Sequence, residues 1–184
     1  MNFEDKINRA VAEIYRIVGQ SAPQTEKSKY LIRMPDCEAI QKTYNAVAVE
    51  MMQTYLTRTN PRIERRVRQQ RNGSGYLYFY TEKRLGDDGR AWVTEKPISQ
   101  KEYVSLLMEG DIQLHPVRKT KYSFACGDRR MEIDVYPFCE DKAVLFVYGK
   151  PSAYALIPPE LRIIRDVTGD PEYKNRNLAL TQSL

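Results

Sequence analysis

Basic residues recur two apart in several short stretches of the chain. Lys27 and Lys29 do so in "EKSKYLIR", Arg66 and Arg68 in "RIERRVRQQR", and Lys119 and Lys121 in "RKTKYSF". Glu132 and Asp134 repeat the spacing with opposite sign in "RMEIDVYPF". Side chains alternate along an extended strand, so residues two apart share a face. Lys83 and Glu95 join the same face by the phase of their own stretches, "YLYFYTEKR" and "RAWVTEKPI". Two like charges ~4 Å apart repel by about 4 kcal/mol at an effective dielectric near 20. A face that gathers Lys27, Lys29, Arg66, Arg68, Lys83, Lys119 and Lys121 against Glu95, Glu132 and Asp134 is strained when empty. An anion carrying several phosphates relieves it through charge-assisted and bidentate contacts. The competing reading is a solvated sheet face with its charges paired across strands.

These residues need strands to position them, and the sequence supplies the pattern. A helix opens the chain, with Phe3, Ile7, Val11, Ile14, Tyr15 and Val18 at helical spacing and Gly19 at its end. After the linker "QSAPQ", eight strands are expected: "EKSKYLIR", "AVAVEMMQTYL", "RIERRVRQQR", "YLYFYTEKR", "RAWVTEKPI", "IQLHPVRKTKYSFA", "RMEIDVYPF" and "KAVLFVYG". Pro35-Asp36 opens a short helix through Tyr44. Ser99 and Glu102 form a capping box for another. A proline-rich loop leads to a last helix, "DPEYKNRNLALTQ", capped by Asp170 with Pro171 in its first turn. Short connections imply antiparallel pairing, and eight strands can close on themselves and so remove exposed edges. The expected fold is α+β: a closed eight-stranded antiparallel barrel with flanking helices and a charged bore. Its domain spans residues 25–184, behind an accessory helix over 1–20.

Composition narrows the chemistry. The chain has 184 residues, enough for one domain, and a net charge of +5 that favours an anionic partner. His115 is the single histidine, following Leu114 in an expected strand, so a catalytic histidine dyad is excluded. Cys37, Cys126 and Cys139 are odd in number without paired metal spacing, and read as buried thiols of a reducing cytoplasm. No apolar run approaches the length of a membrane span, and "MNFEDKINRA" lacks the apolar core of a signal peptide. A cytoplasmic location without membrane association is expected.

The stretches "KSKYLI", "KTKYSF", "MEIDVYPF" and "DVTGDPEYKNRNLA" resemble the CYTH domain family, the triphosphate tunnel metalloenzymes, from about Thr25 to Ala179. The leading helix is also similar to that of bacterial members. The resemblance implies a closed eight-stranded tunnel, and the family includes inorganic triphosphatases, thiamine triphosphatases and class IV adenylyl cyclases. It implies that tunnel lysines and arginines bind triphosphate, and that tunnel carboxylates bind Mg or Mn, which activates water or polarises phosphorus. On this pattern Lys29, Arg66, Arg68, Lys83, Lys119, Lys121, Glu132 and Asp134 fall on the family's positions. The first Glu-x-Glu of the family falls instead on Thr25 and Lys27, and the late one on Phe146 and Tyr148. Of an acidic pair on the fifth strand only Glu95 remains, with Val93 at the other position.

Three readings follow. In the first, the chain binds a triphosphate, polyphosphate or nucleotide-like anion without a working metal centre. Lys27 then supplies positive charge, and pairs with Glu132 or Asp134 when the tunnel is empty. In the second, Glu95, Glu132 and Asp134 hold one Mg or Mn ion through waters and hydrolysis survives. In the third, the scaffold is a nucleic-acid or protein module, with "YLYFY" as a stacking platform. Against that third reading, Tyr76, Tyr78 and Tyr80 are expected to pack under a helix, and Trp92 to pack on the face opposite Glu95. Phe146 and Tyr148 are expected to narrow and dry the bore, with the Tyr148 hydroxyl able to meet a phosphate oxygen. Ligand identity and homo-oligomer formation stay open.

Overall fold

A computed structural model describes residues 22–23, 27–127, 129–149 and 157–184. The expected accessory helix over 1–20 and Thr25 lie outside the described residues. Ten strands form one antiparallel sheet: β1 (Ala22–Pro23), β2 (Lys27–Arg33), β3 (Val47–Tyr55), β4 (Ile63–Asn72), β5 (Gly75–Leu85), β6 (Ala91–Ile98), β7 (Val117–Cys126), β8 (Arg129–Val135), β9 (Lys142–Tyr148) and β10 (Ile163–Asp166). Among the described residues three α-helices accompany them: α1 (Cys37–Tyr44), α2 (Gln100–Leu107) and α3 (Asn175–Thr181).

The strand order is β1-β6-β5-β4-β3-β7-β8-β9-β2-β10, so among the described residues the sheet is not closed. This corrects the expected eight-stranded barrel. The two ladders that closure would have to join are already occupied. β6 pairs with β1 through Val93 and Trp92, and β2 pairs with β10 through Tyr30, Leu31 and Ile32. The sheet nevertheless curls strongly. In a flat sheet β2 and β5 would stand six strand spacings, roughly 29 Å, apart. Instead, Lys29 on β2 feels the charge of Lys83 on β5, and Lys174 presses on both. The result is an open trough whose two walls face each other.

Alternation explains why the two faces differ. The convex face is apolar and lies under helices. Ile40 of α1 packs with Tyr30, Ile32, Phe124, Met131, Ile133 and Leu145. Tyr103 of α2 packs with Leu56 and Val67, flanked by Tyr78, Tyr80 and Ile98. Helix α1 starts where Asp36 accepts from the Ala39 amide, and α2 where Ser99 and Glu102 cap each other as the spacing predicts. The β4–β5 hairpin turns at Gly73, whose φ of 57° favours glycine.

Helix α3 packs on the concave face, at one end of the trough. Leu178 and Ala179 meet Val117, Tyr136, Val144 and Phe146, in phase with Lys119, Asp134 and Lys142, and Tyr55, which stands opposite Arg66. The expected continuous last helix is two pieces, a 3-10 turn at Pro171–Tyr173 and α3, because Lys174 is extended at ψ 137°. That break lets Tyr173 join Leu31 and Val167 in a separate cluster.

Other expectations change locally. β7 starts at Val117, not Ile112, because Asp111 folds the chain into a turn and the His115 amide donates to the Ala179 carbonyl. His115 is therefore exposed in a loop and Ile112 is fully exposed. Trp92 is exposed at the sheet margin, beside β1, and does not enter a core. Tyr78 and Tyr80 pack under α2 as expected, whereas Tyr76 is exposed. The three cysteines are thiols, but half-buried and not core residues.

Candidate functional site: the concave face

The trough gathers the predicted set from five strands and a sixth at its margin. Lys27 and Lys29 come from β2, Arg66 and Arg68 from β4, Lys83 from β5, Lys119 and Lys121 from β7, Glu132 and Asp134 from β8, and Glu95 from β6. Their chain separation is long, but hydrogen-bonded register makes neighbours of many: Lys121 faces Asp134, Thr81 faces Glu95, and Lys29 faces Phe146.

The carboxylates are all engaged by cations. Glu132 is 1% exposed. It accepts from Lys121 Nζ at 2.5 Å, from the Tyr148 hydroxyl at 2.8 Å, and from Arg130. Burial alone would raise its pKa. Lys121, Arg130 and Tyr148 outweigh burial and hold it at about 2. Asp134, equally buried, accepts from Lys119 Nζ at 2.5 Å. Lys121 Nζ stands 4.0 Å from its other oxygen, Oδ1, too far for a hydrogen bond, and that oxygen has no partner. Glu95 accepts from Arg68 at 3.0 Å and from the Thr81 hydroxyl at 2.8 Å.

The remaining cations lack such partners. Among the described residues no carboxylate lies within 4.0 Å of Lys27, Lys29, Arg66 or Lys83. Lys29 donates to the Tyr173 carbonyl at 2.7 Å and lies over the Phe146 ring. Lys27 lies over the rings of Phe146 and Tyr148. Arg66 stands opposite Tyr55, whose phenol burial pushes up to about 12 against the pull of Arg66. Burial lowers Lys27, Lys29 and Lys119 to about 8, with neighbouring lysines adding to the push, and lowers Lys83 as well. Arg68 Nε and Gln53 Nε2, across the β3–β4 ladder from each other, are buried polar atoms without a partner. Excess buried cations and orphaned donors on one concave face have the chemistry that a polyanion would satisfy.

Two expectations are corrected here. Lys27 does not pair with Glu132 or Asp134, because Lys121 and Lys119 hold those carboxylates. Tyr148 gives its hydroxyl to Glu132, so in this arrangement it is not free for a phosphate. Glu132 and Asp134 are neighbours on β8, but Glu95 does not complete a cluster with them. Among the described residues no three His, Cys, Asp or Glu side chains are grouped to hold a metal. A Mg or Mn ion needs several oxygen ligands. The one unengaged oxygen of this set, Asp134 Oδ1, lies 4.0 Å from the Lys121 ammonium group. The residues present do not fit such an ion.

Several members of the site were not anticipated. Arg130 and Tyr136 flank Glu132 and Asp134 in the same phase, and carrying the alternation through the whole of "RMEIDVYPF" would have found them. Gln53 is neutral and gave no charge signal, whereas Thr81 was expected on this face from its phase with Lys83. The Tyr173 carbonyl became available only through the helix break at Lys174.

No family sequence model matches the chain. The chain is 34% identical over 139 residues to an inorganic triphosphatase of Nitrosomonas europaea, covering 73% of this chain and 86% of that protein. The crystal structure of an inorganic triphosphatase superposes with a TM-score of 0.58 at 29% identity, covering 88% of this chain and 98% of that one. A second crystal structure of that protein gives 0.56 at 28%, over 86% and 99%. No helix among the described residues is long and apolar enough to cross a membrane.

Proposed function

The chain belongs to the CYTH, or triphosphate tunnel, family, and from that premise we propose that it binds a triphosphate-type anion in its basic trough while metal-dependent hydrolysis is lost or strongly impaired. The observation that carries this reading is an asymmetry. The cations of the trough persist, with Lys27, Lys29, Arg66 and Lys83 making no ion pair among the described residues, whereas its carboxylates are already engaged by lysines or arginines. Lys29, Arg66, Arg68, Lys83, Lys119 and Lys121 are the phosphate contacts. The two arginines clamp phosphate oxygens in pairs and the lysines act as point charges.

The curated relative is an inorganic triphosphatase. Hydrolysis of that kind needs an electrophile or an activated water at phosphorus, and in this family a Mg or Mn ion supplies it. In this chain Lys27, Phe146 and Tyr148 stand where the family places carboxylates, which removes the oxygen donors such an ion needs. Phosphate release from tripolyphosphate, ATP and thiamine triphosphate, with Mg and with Mn, tests the reading. Tripolyphosphate binding in calorimetry with no release above the uncatalysed background is expected. Multiple turnovers with either ion would overturn the loss of hydrolysis and favour a rebuilt centre on Glu95, Glu132 and Asp134.

A further inference from the structure

We infer that Lys27 is a tethered substitute for a divalent cation: its ammonium group neutralises the bound polyanion, so the free anion, not its magnesium complex, is the preferred ligand. The inference rests on the reading that the trough binds a triphosphate-type anion.

The geometry around Lys27 carries it. β2 and β9 set Lys27 opposite Tyr148, while Phe146 lies between Lys29 on one side and Glu132 on the other. Lys27 Nζ stands 4.7 Å from the Phe146 ring centroid and 5.5 Å from that of Tyr148. The Tyr148 ring is covered by Arg130 as well, at 4.6 Å, and its hydroxyl is committed to Glu132. The carboxylates nearest in the trough are already engaged by Lys119, Lys121 and Arg130. Lys27 is thus a desolvated cation on the concave face, in contact with aromatic rings and attracted by Glu132 and Asp134 only from beyond ion-pair distance.

Aromatic faces discriminate between two kinds of positive charge. They accept an ammonium group through the ring quadrupole. They offer nothing to a small hard ion that needs several oxygen ligands. The ammonium is moreover covalently held, so its field excludes a second, mobile cation from the same space. A polyanion entering the trough meets a fixed charge at a place where a dissociable one would have to be recruited. Magnesium in solution then competes for the anion and does not assist its binding.

Calorimetric titration of tripolyphosphate, in EDTA and in excess Mg, tests the inference on the full chain. Wild type is expected to bind in EDTA and to bind more weakly when Mg sequesters the anion. Lys27→Gln is expected to weaken binding in EDTA by about tenfold or more, the loss of one charge-assisted contact. Lys27→Arg, which keeps the charge, is expected to stay within about threefold of wild type. Lys27→Glu is expected to lose binding in EDTA and to regain part of it with Mg. Lys42→Gln, on the exposed last turn of α1, is the control. Circular dichroism and thermal melting establish that each variant is folded. If Lys27→Gln matches wild type within twofold, or Lys27→Arg falls with it, the Lys27 role is overturned while triphosphate binding stands. If EDTA abolishes wild-type binding, metal independence is overturned. If wild type binds in neither buffer, the triphosphate reading itself fails.

Discussion

Single side chains in the trough are set against their own ionisation. Burial, then the charges of Lys121 and Lys29, brings Lys27 to about 8; Lys29 and Lys119 are brought to about 8 chiefly by burial. An unfolded lysine titrates near 10.5. Between pH 8 and 10.5 the unfolded chain therefore holds protons that the native state has released, and stability rises with pH across that window. Below pH 8 the native state carries the full penalty of these buried charges. A bound polyanion reverses the sign, because it holds the same lysines protonated and is lost as they discharge. The empty protein is expected to melt higher at pH 9.5 than at pH 7, while the rise produced by tripolyphosphate shrinks. Differential scanning calorimetry at both pH values measures this. An equal ligand-induced rise at the two pH values would show that these lysines do not contact the anion. Glu132 slopes the same way in a lower window: its contribution is complete above pH 4.5 and is lost as pH falls towards 2.

At the level of elements, local patterns and long-range pairing were unequally legible. Residues spaced two apart in β2, β4, β7 and β8 gave the faces of those strands, and so placed the charged set on one side of the sheet, whereas β9 was legible only as a continuous apolar run. The Ser99–Glu102 capping box and the Asp36 cap were legible because each is satisfied within three residues. Closure was not, since it depends on which ladders the two end strands occupy. β1 is two residues long, and β10 follows a proline-rich stretch without alternation. Partner choice inside the site failed for a related reason. β7 and β8 are hydrogen-bonded neighbours, so Lys121 reaches Glu132 and Asp134, while β9 separates β2 from β8 and keeps Lys27 away. Helix α3 illustrates what its hydrophobic spacing did convey. Leu178 is 1% exposed against Tyr55, Val117 and Val144 and anchors the helix in the trough's end. Leu178→Ala is expected to cost about 2–5 kcal/mol in urea unfolding, through lost burial and the cavity left behind. A change under about 0.5 kcal/mol would mean that α3 does not seat there in solution.

On the proposed reading, the curl of the whole molecule sets what size of anion the trough would select. Its cations are spread over β2, β4, β5 and β7, on walls that face each other because the sheet curls, and α3 covers one end. A single phosphate can reach only part of that set, whereas a chain of phosphates can bridge from Lys29 and Lys119 to Arg66, Arg68 and Lys83. Anything that binds only the native state stabilises it by mass action, about 2.7 kcal/mol at one hundred times the dissociation constant. For a chain of this length each kcal/mol moves the melting temperature by roughly 2–4 °C, so a rise of about 5–10 °C is expected. Tripolyphosphate in EDTA is expected to reach it, and orthophosphate at the same concentration to fall well short. Raising the ionic strength should shrink the tripolyphosphate shift, because the open side of the trough admits screening ions. Equal shifts from the two anions would mean that the opposing walls act independently and that the curled sheet does not measure chain length. A shift that appears only with Mg would return the charge of Lys27 to a structural role.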